Sequence, residues 1–491
     1  MSLRLPASLV APLADNPIIE FVASDPPMSM AMDIARGASD APPVTVPESG
    51  LSGQGVTVAM IDTGVAQHPD IQTMIASVDF TDTVTNPPIL NGLPNPALVT
   101  SPDLSVDPMG HGTHVAAILV GNGSRSAGRL AGIAPQAQLV SVRVLDGTGQ
   151  GQASDVLAGL QWVLAHKDAL GIRVLNLSLG HPVAESINTD PLVQAVDALW
   201  DAGVVVVCAA GNNGRNGYMT INSPCNSRKV ITVGATNDQK TVDISDDTMT
   251  TYSSRGPTAI DRVAKPDLVA PGNRIVSARA AGSYLDTLFP DRRVAADPTQ
   301  PLVLDYFEMS GTSMSTPMVA GTAALMLQQD PTLNPATVKA RLMLSARKPA
   351  LGDVFSTGAG YLDILAALRT TGTVTDARSP KGTPDPVTGQ IAFENTGVLW
   401  GNDAFSLMAL WGNGVVWTDP TQYNQPIVWT AGEIWPTGGL LPTTEMWPTG
   451  EDWPQTENWP DQPAVSNRPP VFNLALDPNP ALLGVIEPLA I

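Results

Sequence analysis

Residues 56–65 read Val-Thr-Val-Ala-Met-Ile-Asp-Thr-Gly-Val. A run of strand-forming apolar residues that stops at an acid and turns at a glycine has the character of a buried strand. Asp62 then stands at its carboxyl end, and because an unpaired buried charge is costly, it demands a partner. Working outward, the same texture recurs. Val56–Ile61, Leu139–Leu145, Arg173–Leu179, Val204–Ala209 and Val230–Ala235 are strand candidates, while Ser154–His166 and Pro191–Ala202 place apolar residues at helical spacing. Strand, helix, strand in that order predicts an α/β fold with a mostly parallel sheet covered on both faces. Chemistry in such sheets sits on loops at the carboxyl ends of strands.

Composition narrows the function. The chain has 491 residues, 15% of them charged, and 46 acids against 26 bases give a net charge of −20. That balance excludes nucleic-acid binding, which needs clustered Lys and Arg. No apolar run approaches the about 20 residues of a membrane span, and the longest, around Gly203–Ala210, reads as a buried strand. Two cysteines, Cys208 and Cys225, exclude a disulfide-built scaffold and a cysteine zinc site, and leave a Cys208–Cys225 bridge open. Met1–Ala14 carries one Arg and a short apolar stretch interrupted by Pro6 and Pro12. It imitates a secretion signal imperfectly, so localisation stays open between secreted and cytoplasmic.

Three segments carry chemistry: Asp62 in the opening strand, His111 in GHGTHVAA (Gly110–Ala117), and Ser313 in GTSMSTPMVA (Gly311–Ala320). Both His111 and Ser313 open predicted helices. A serine hydroxyl becomes a nucleophile when an imidazole takes its proton, and a carboxylate fixes the imidazole tautomer. A helix start behind the serine supplies donors where negative charge develops. His111 and His114 do not read as a metal pair, for no His-Glu-x-x-His and no third ligand accompany them. The order Asp, His, Ser excludes the chymotrypsin and α/β-hydrolase arrangements.

With these stretches the chain resembles the subtilisin-like serine proteases. Supporting stretches follow in order: NLSLG (Asn176–Gly180), AAGN (Ala209–Asn212), TVGA (Thr232–Ala235), SSRGP (Ser253–Pro257) and KPDLVAPG (Lys265–Gly272). The resemblance covers roughly residues 53–368. It implies a three-layer α/β domain and a serine endopeptidase that works through an acyl-enzyme. It further implies Asp62, His111 and Ser313 as triad and Asn212 as oxyanion donor. Ser178, Leu179 and Gly180 would form one wall of the first specificity pocket, Ala209, Ala210 and Gly211 the other, and these small walls suit a hydrophobic residue before the cut. No cofactor is implied for the chemistry. Structural calcium is expected from the family, with Asp70 at one ligand position and Gly121–Arg129 as binding loop; the other ligands are unassigned. Ser315 stands where alanine is usual, and Cys225 stands near the pocket, where it would narrow the site. Insertions at Thr81–Asp107 and Ala280–Glu308 are expected to reshape the cleft rim.

The expected organisation is an N-terminal arm or short pro-segment (1–50), the catalytic domain (51–369), a linker (370–398), an aromatic repeat (399–465) and a C-terminal tail (466–491). Trp411, Trp417, Tyr423, Trp429, Trp435, Leu441, Trp447, Trp453 and Trp459 stand six apart. A period of six puts them on one face of an extended chain, and the prolines that follow the later ones disfavour a central strand. The tail is thus expected to dock on its own catalytic domain or on another protein. Polypeptides are the expected substrates, and the terminal segments are candidates for self-processing or self-inhibition. The alternative function is a catalytically silent scaffold that binds through the Trp-rich tail.

Overall fold

Strand β1 (Thr57–Asp62) runs through an eight-stranded sheet, and every one of its side chains is buried. The computed structural model describes residues 35–36, 38–39, 50–81, 106–297, 301–348, 353–384, 391–406 and 409–410. The sheet comprises β1, β2 (Met74–Asp79), β3 (Gln138–Arg143), β4 (Ile172–Leu177), β5 (Val205–Ala209), β6 (Ile231–Asn237), β7 (Thr248–Met249) and β8 (Leu268–Pro271). Its order is β8-β6-β5-β4-β1-β3-β2, all parallel, with β7 antiparallel on β6. The continuous burial of β5 and β6 is what covering on both faces requires, and explains the uninterrupted apolar sequence of β5.

Helix α1 (His111–Val120) packs against α4 (Thr312–Gln329), and α4 lies on β4, β5 and β6. A second pair, α2 (Ala153–Leu170) and α3 (Pro191–Asp201), packs on β1, β4 and β5. Register then positions the site. Ile61 is level with Leu177 and Leu177 with Cys208, so Asp62, Ser178 and Ala209 emerge side by side at one sheet edge.

Beyond the sheet, α5 (Pro335–Ser345) contributes Lys339 to a fully buried ionic cluster. Lys265 Nζ donates to Asp267 Oδ2 (2.6 Å) and to the Val230 carbonyl (2.9 Å). Lys339 Nζ lies 3.2 Å from Asp267 Oδ1 and donates to the carbonyls of Arg228, Lys229 and Val230. Burial pulls the Lys339 ammonium down to about 7, with Asp267 opposing. Burial alone would raise the Asp267 carboxyl, yet the two lysines hold it below the usual range.

Ser379 closes this cluster, accepting from Lys339 Nζ (2.8 Å) and donating to Asp267 Oδ1 (2.6 Å). That contact ties part of the stretch expected as a linker, 370–398, to the catalytic domain. Val374, Ala377 and Phe393 are buried, Thr337 Oγ1 donates to the Val374 carbonyl, and Gly382–Pro384 pairs with Ile391–Phe393. Thr, Gly and Pro here belong to extended chain pinned by single side chains, a pattern without periodicity. The aromatic repeat from Trp411, the tail, nearly all of the arm and most of the Thr81–Asp107 insertion lie outside the described residues. Among the described residues no helix is long and apolar enough to cross a membrane.

Removing Asp267 leaves two buried ammonium groups without their counter-charge. Asp267→Ala, in a Ser313→Ala chain that cannot digest itself, should lose about 3–5 kcal/mol in urea unfolding; a loss near zero would mean that the carbonyls alone hold the lysines.

Candidate active site

Asp62 is fully buried at the end of β1, and its Oδ1 lies 2.7 Å from His111 Nδ1, the first residue of α1. The Thr63 amide donates to the same oxygen at 2.7 Å. Since an ionised carboxylate only accepts, Nδ1 carries the hydrogen and Nε2 is left as the basic nitrogen. Close approach requires glycine next door. A Cβ on Gly112 would lie 2.0 Å from the Gly64 carbonyl oxygen and 3.1 Å from Asp62 Oδ1. Burial opposes the imidazolium, but the charge and hydrogen bond of Asp62, helped by Asp107, hold His111 above its ordinary value.

Asp107, which no sequence motif marks, organises this corner. Oδ1 accepts from Thr63 Oγ1 (2.8 Å) and the Gly110 amide (2.7 Å), and Oδ2 from the Thr113 amide (2.7 Å) and hydroxyl (2.6 Å). Thr63 Oγ1 in turn accepts from the Gly112 amide at 2.9 Å. One carboxylate thus satisfies donors at the start of α1 and ties them to the β1 turn. An acid just before a helix-opening histidine is the signal that could have found it.

Ser313 lies in the first turn of α4, and its hydroxyl donates to the Ser178 carbonyl (3.2 Å). Ser178 Oγ returns a bond to the Ser313 carbonyl (3.1 Å). Thr312 holds Asn212: the Thr312 amide (3.0 Å) and hydroxyl (3.1 Å) both donate to Asn212 Oδ1. That assignment leaves the Asn212 NH2 group pointing away from Thr312 as a donor. The Gly211 amide donates to Thr312 Oγ1 at 3.2 Å, fixing the Ala209–Gly211 wall to the same threonine. Across the adjoining β4 edge, Ser178, Leu179 and Gly180 lead into His181–Pro182, which pairs with Asn222–Ser223. Asp62, Ser178 and Ala209 thus stand at the ends of neighbouring strands, with His111 bonded to Asp62, Ser313 to Ser178, and Asn212 to Thr312.

Two expectations change. Cys225 does not line the cleft; it is fully buried beside Cys208, both thiols are free, and burial followed by contact with Cys208 pushes its thiol well up. The second concerns calcium. Asp70 Oδ1 accepts from Ser124 Oγ and the Arg125 amide (2.9 Å each), and Oδ2 from the Tyr306 hydroxyl (2.5 Å). In the Gly121–Arg129 loop, the carbonyls of Gly121, Gly123 and Ser126 each accept an amide. These residues do not fit a cation as they stand, because protein donors already take the oxygens it would need. Tyr306 comes from the Ala280–Glu308 insertion, which also meets the His111 loop: the amides of Tyr284 and Leu285 donate to the carbonyls of Pro108 and Met109. His114 is structural. Its Nε2 lies 3.1 and 3.0 Å from the carbonyls of Ile275 and Phe307, and burial lowers it to about 3. Among the described residues no three His, Cys, Asp or Glu side chains gather to hold a metal.

Comparison with known proteins agrees with this geometry. Residues 53–364 match the Subtilase family. The chain is 39% identical over 363 residues to serine protease AprX of Bacillus subtilis (strain 168), covering 73% of this chain and 76% of that protein. It is 31% identical over 324 residues to subtilisin DY of Bacillus licheniformis, covering 66% and 94%. Among solved structures, sphericase superposes with a TM-score of 0.50 at 27% identity, covering 64% of this chain and 92% of that one.

Asp107 contributes negative charge near His111, so its neutral replacement should make the imidazole less basic. Asp107→Asn is expected to move the acid limb of the kcat/KM–pH profile to lower pH. An unmoved limb would restrict Asp107 to shaping the loop.

Proposed function

The chain belongs to the subtilase family and is a subtilisin-like serine endopeptidase, and from that premise we propose that Asp62, His111, Ser313 and Asn212 cleave peptide bonds through an acyl-enzyme. The observation that carries this division of roles is the buried 2.7 Å Asp62–His111 hydrogen bond, at the start of a helix that packs against the helix of Ser313.

The Ser313 hydroxyl turns from the Ser178 carbonyl towards His111 Nε2 and attacks the scissile carbonyl carbon as Nε2 takes its proton. Asp62 stabilises the imidazolium without itself being protonated. The tetrahedral oxyanion accepts from Asn212 Nδ2 and from the Ser313 amide, one of the first-turn N–H groups that the helix leaves unpaired. The C–N bond breaks as His111 returns the proton to the leaving amine. Water, deprotonated by His111, then hydrolyses the ester. Ser178–Gly180 supports the substrate backbone as an added strand, with Ala209–Gly211 opposite; small side chains on both walls favour an apolar residue before the cut.

Because His111 must be neutral to accept a proton and its pKa lies above 6.5, kcat/KM should rise with pH through a limb above that value. A fluorophosphonate probe should label Ser313, and a folded, unlabelled chain would refute the mechanism. Asn212→Ala should lower kcat about 100- to 1000-fold with KM little changed. For processing of the terminal segments, intact masses are decisive: Ser313→Ala should retain a longer chain than the active protein, and equal masses would remove self-cleavage.

A further inference from the structure

Where β6 turns into β7, Asn237 is level with Thr248 and Thr236 with Met249. The next residues outward, Asp238 and Asp247, therefore flank the loop as a facing pair of acids, which is destabilising unless something lies between them. Both are buried, Asp238 at 1% and Asp247 at 6% exposure. Asp238 Oδ1 accepts from the Lys240 amide at 3.1 Å, but Oδ2 has no partner, and neither oxygen of Asp247 has one.

Two hydroxyls share this condition. Thr236 Oγ1 and the Tyr361 hydroxyl are both on fully buried residues and form no hydrogen bond of acceptable geometry. Tyr361 lies close enough to Thr236 and Asp247 for both to act on its acidity, so its hydroxyl is aimed into the acid pair. Five buried oxygens without partners thus converge, in a fold where buried polar atoms are ordinarily satisfied. Burial first, and then Asp247, push Asp238 up to about 7; burial first raises Asp247 to about 6, with the nearby Tyr361 hydroxyl and Arg347 opposing and Asp246 and Asp243 adding. Arg347 does not fill the site. Its guanidinium stacks 5.4 Å over the Tyr361 ring, donates to the Ala38 carbonyl, and lies 3.5 Å from Asp363.

We propose that Asp238, Asp247, Thr236 and Tyr361 form a binding site for a hard divalent cation of the calcium type. An oxygen-only donor set suits such an ion, and two carboxylates balance its charge. One ion would satisfy the orphaned oxygens together and remove the repulsion between the acids. The site also abuts the nucleophile's turn: the Thr236 carbonyl accepts from the Gly272 amide (3.0 Å), and the Gly272 carbonyl from the Gly311 amide (2.9 Å).

The test uses the full chain with Ser313→Ala, stripped with EDTA and melted with and without millimolar CaCl2. Calcium should raise Tm through preferential binding to the folded state, and Asp238→Asn/Asp247→Asn should abolish the rise. A parent unaffected by calcium would overturn the site and leave the acids sharing a proton; a rise that survives in the double variant would place the ion elsewhere. Should the double variant not fold, Asp238→Asn alone should raise the half-saturating calcium concentration roughly tenfold or more, and an unchanged value would overturn the proposal equally.

Discussion

A carboxylate enclosed by protein keeps its charge only where donors replace the water it has lost. At Asp62 those donors are the Thr63 amide and the imidazole Nδ1–H of His111, and much of the molecule serves to deliver them. The parallel sheet fixes where β1 ends. Gly112 lets α1 approach within contact of Asp62 and Gly64, and Asp107 anchors the helix start that carries the imidazole. In the proposed mechanism this polarised histidine acts as general base through its second nitrogen. Packing of α1 against α4 is a core contact that, in that mechanism, also brings the helices of His111 and Ser313 together.

The same economy places the proposed nucleophile and amide donor. Ser313 and Asn212 are 101 residues apart, yet one intervening side chain governs both: Thr312 precedes the nucleophile in the helix turn and grips Asn212 Oδ1 twice. Holding the carbonyl end of that amide orients its NH2 end, so the donor is fixed before substrate arrives. Preorganisation of this kind stabilises developing charge without rearrangement at the moment of reaction.

Sequence reading reached the parts whose signals are local. Buried parallel strands announce themselves as apolar runs, and Asp62, His111 and Ser313 each lie among glycines and small residues at an element boundary. Five strand candidates reappear within a residue or two at most ends. β2 escaped because half its side chains are only partly buried, and β8 because four residues show no period. Asp107 escaped for a different reason, since half of its partners are backbone amides, which leave no mark in composition. The Lys265–Asp267–Lys339–Ser379 cluster joins residues up to 112 positions apart, and Ser379 sits in a stretch whose Thr, Gly and Pro content reads as a linker.

Those buried acids also explain how a chain with such an excess of carboxylates holds together around its sheet. Asp267 is neutralised by two internal ammonium groups, and Asp70 by a hydroxyl, a phenol and an amide, with the Arg125 guanidinium pairing with neighbouring Asp305. In each case the protein supplies from its own side chains and backbone what a bound cation would otherwise supply. Asp238 and Asp247 break that rule, for they face one another with most of their oxygens unmet and two unpaired hydroxyls beside them. A fold that satisfies Asp267 and Asp70 internally leaves this pair, with three unmet carboxylate oxygens between them, as the place where an outside charge is needed.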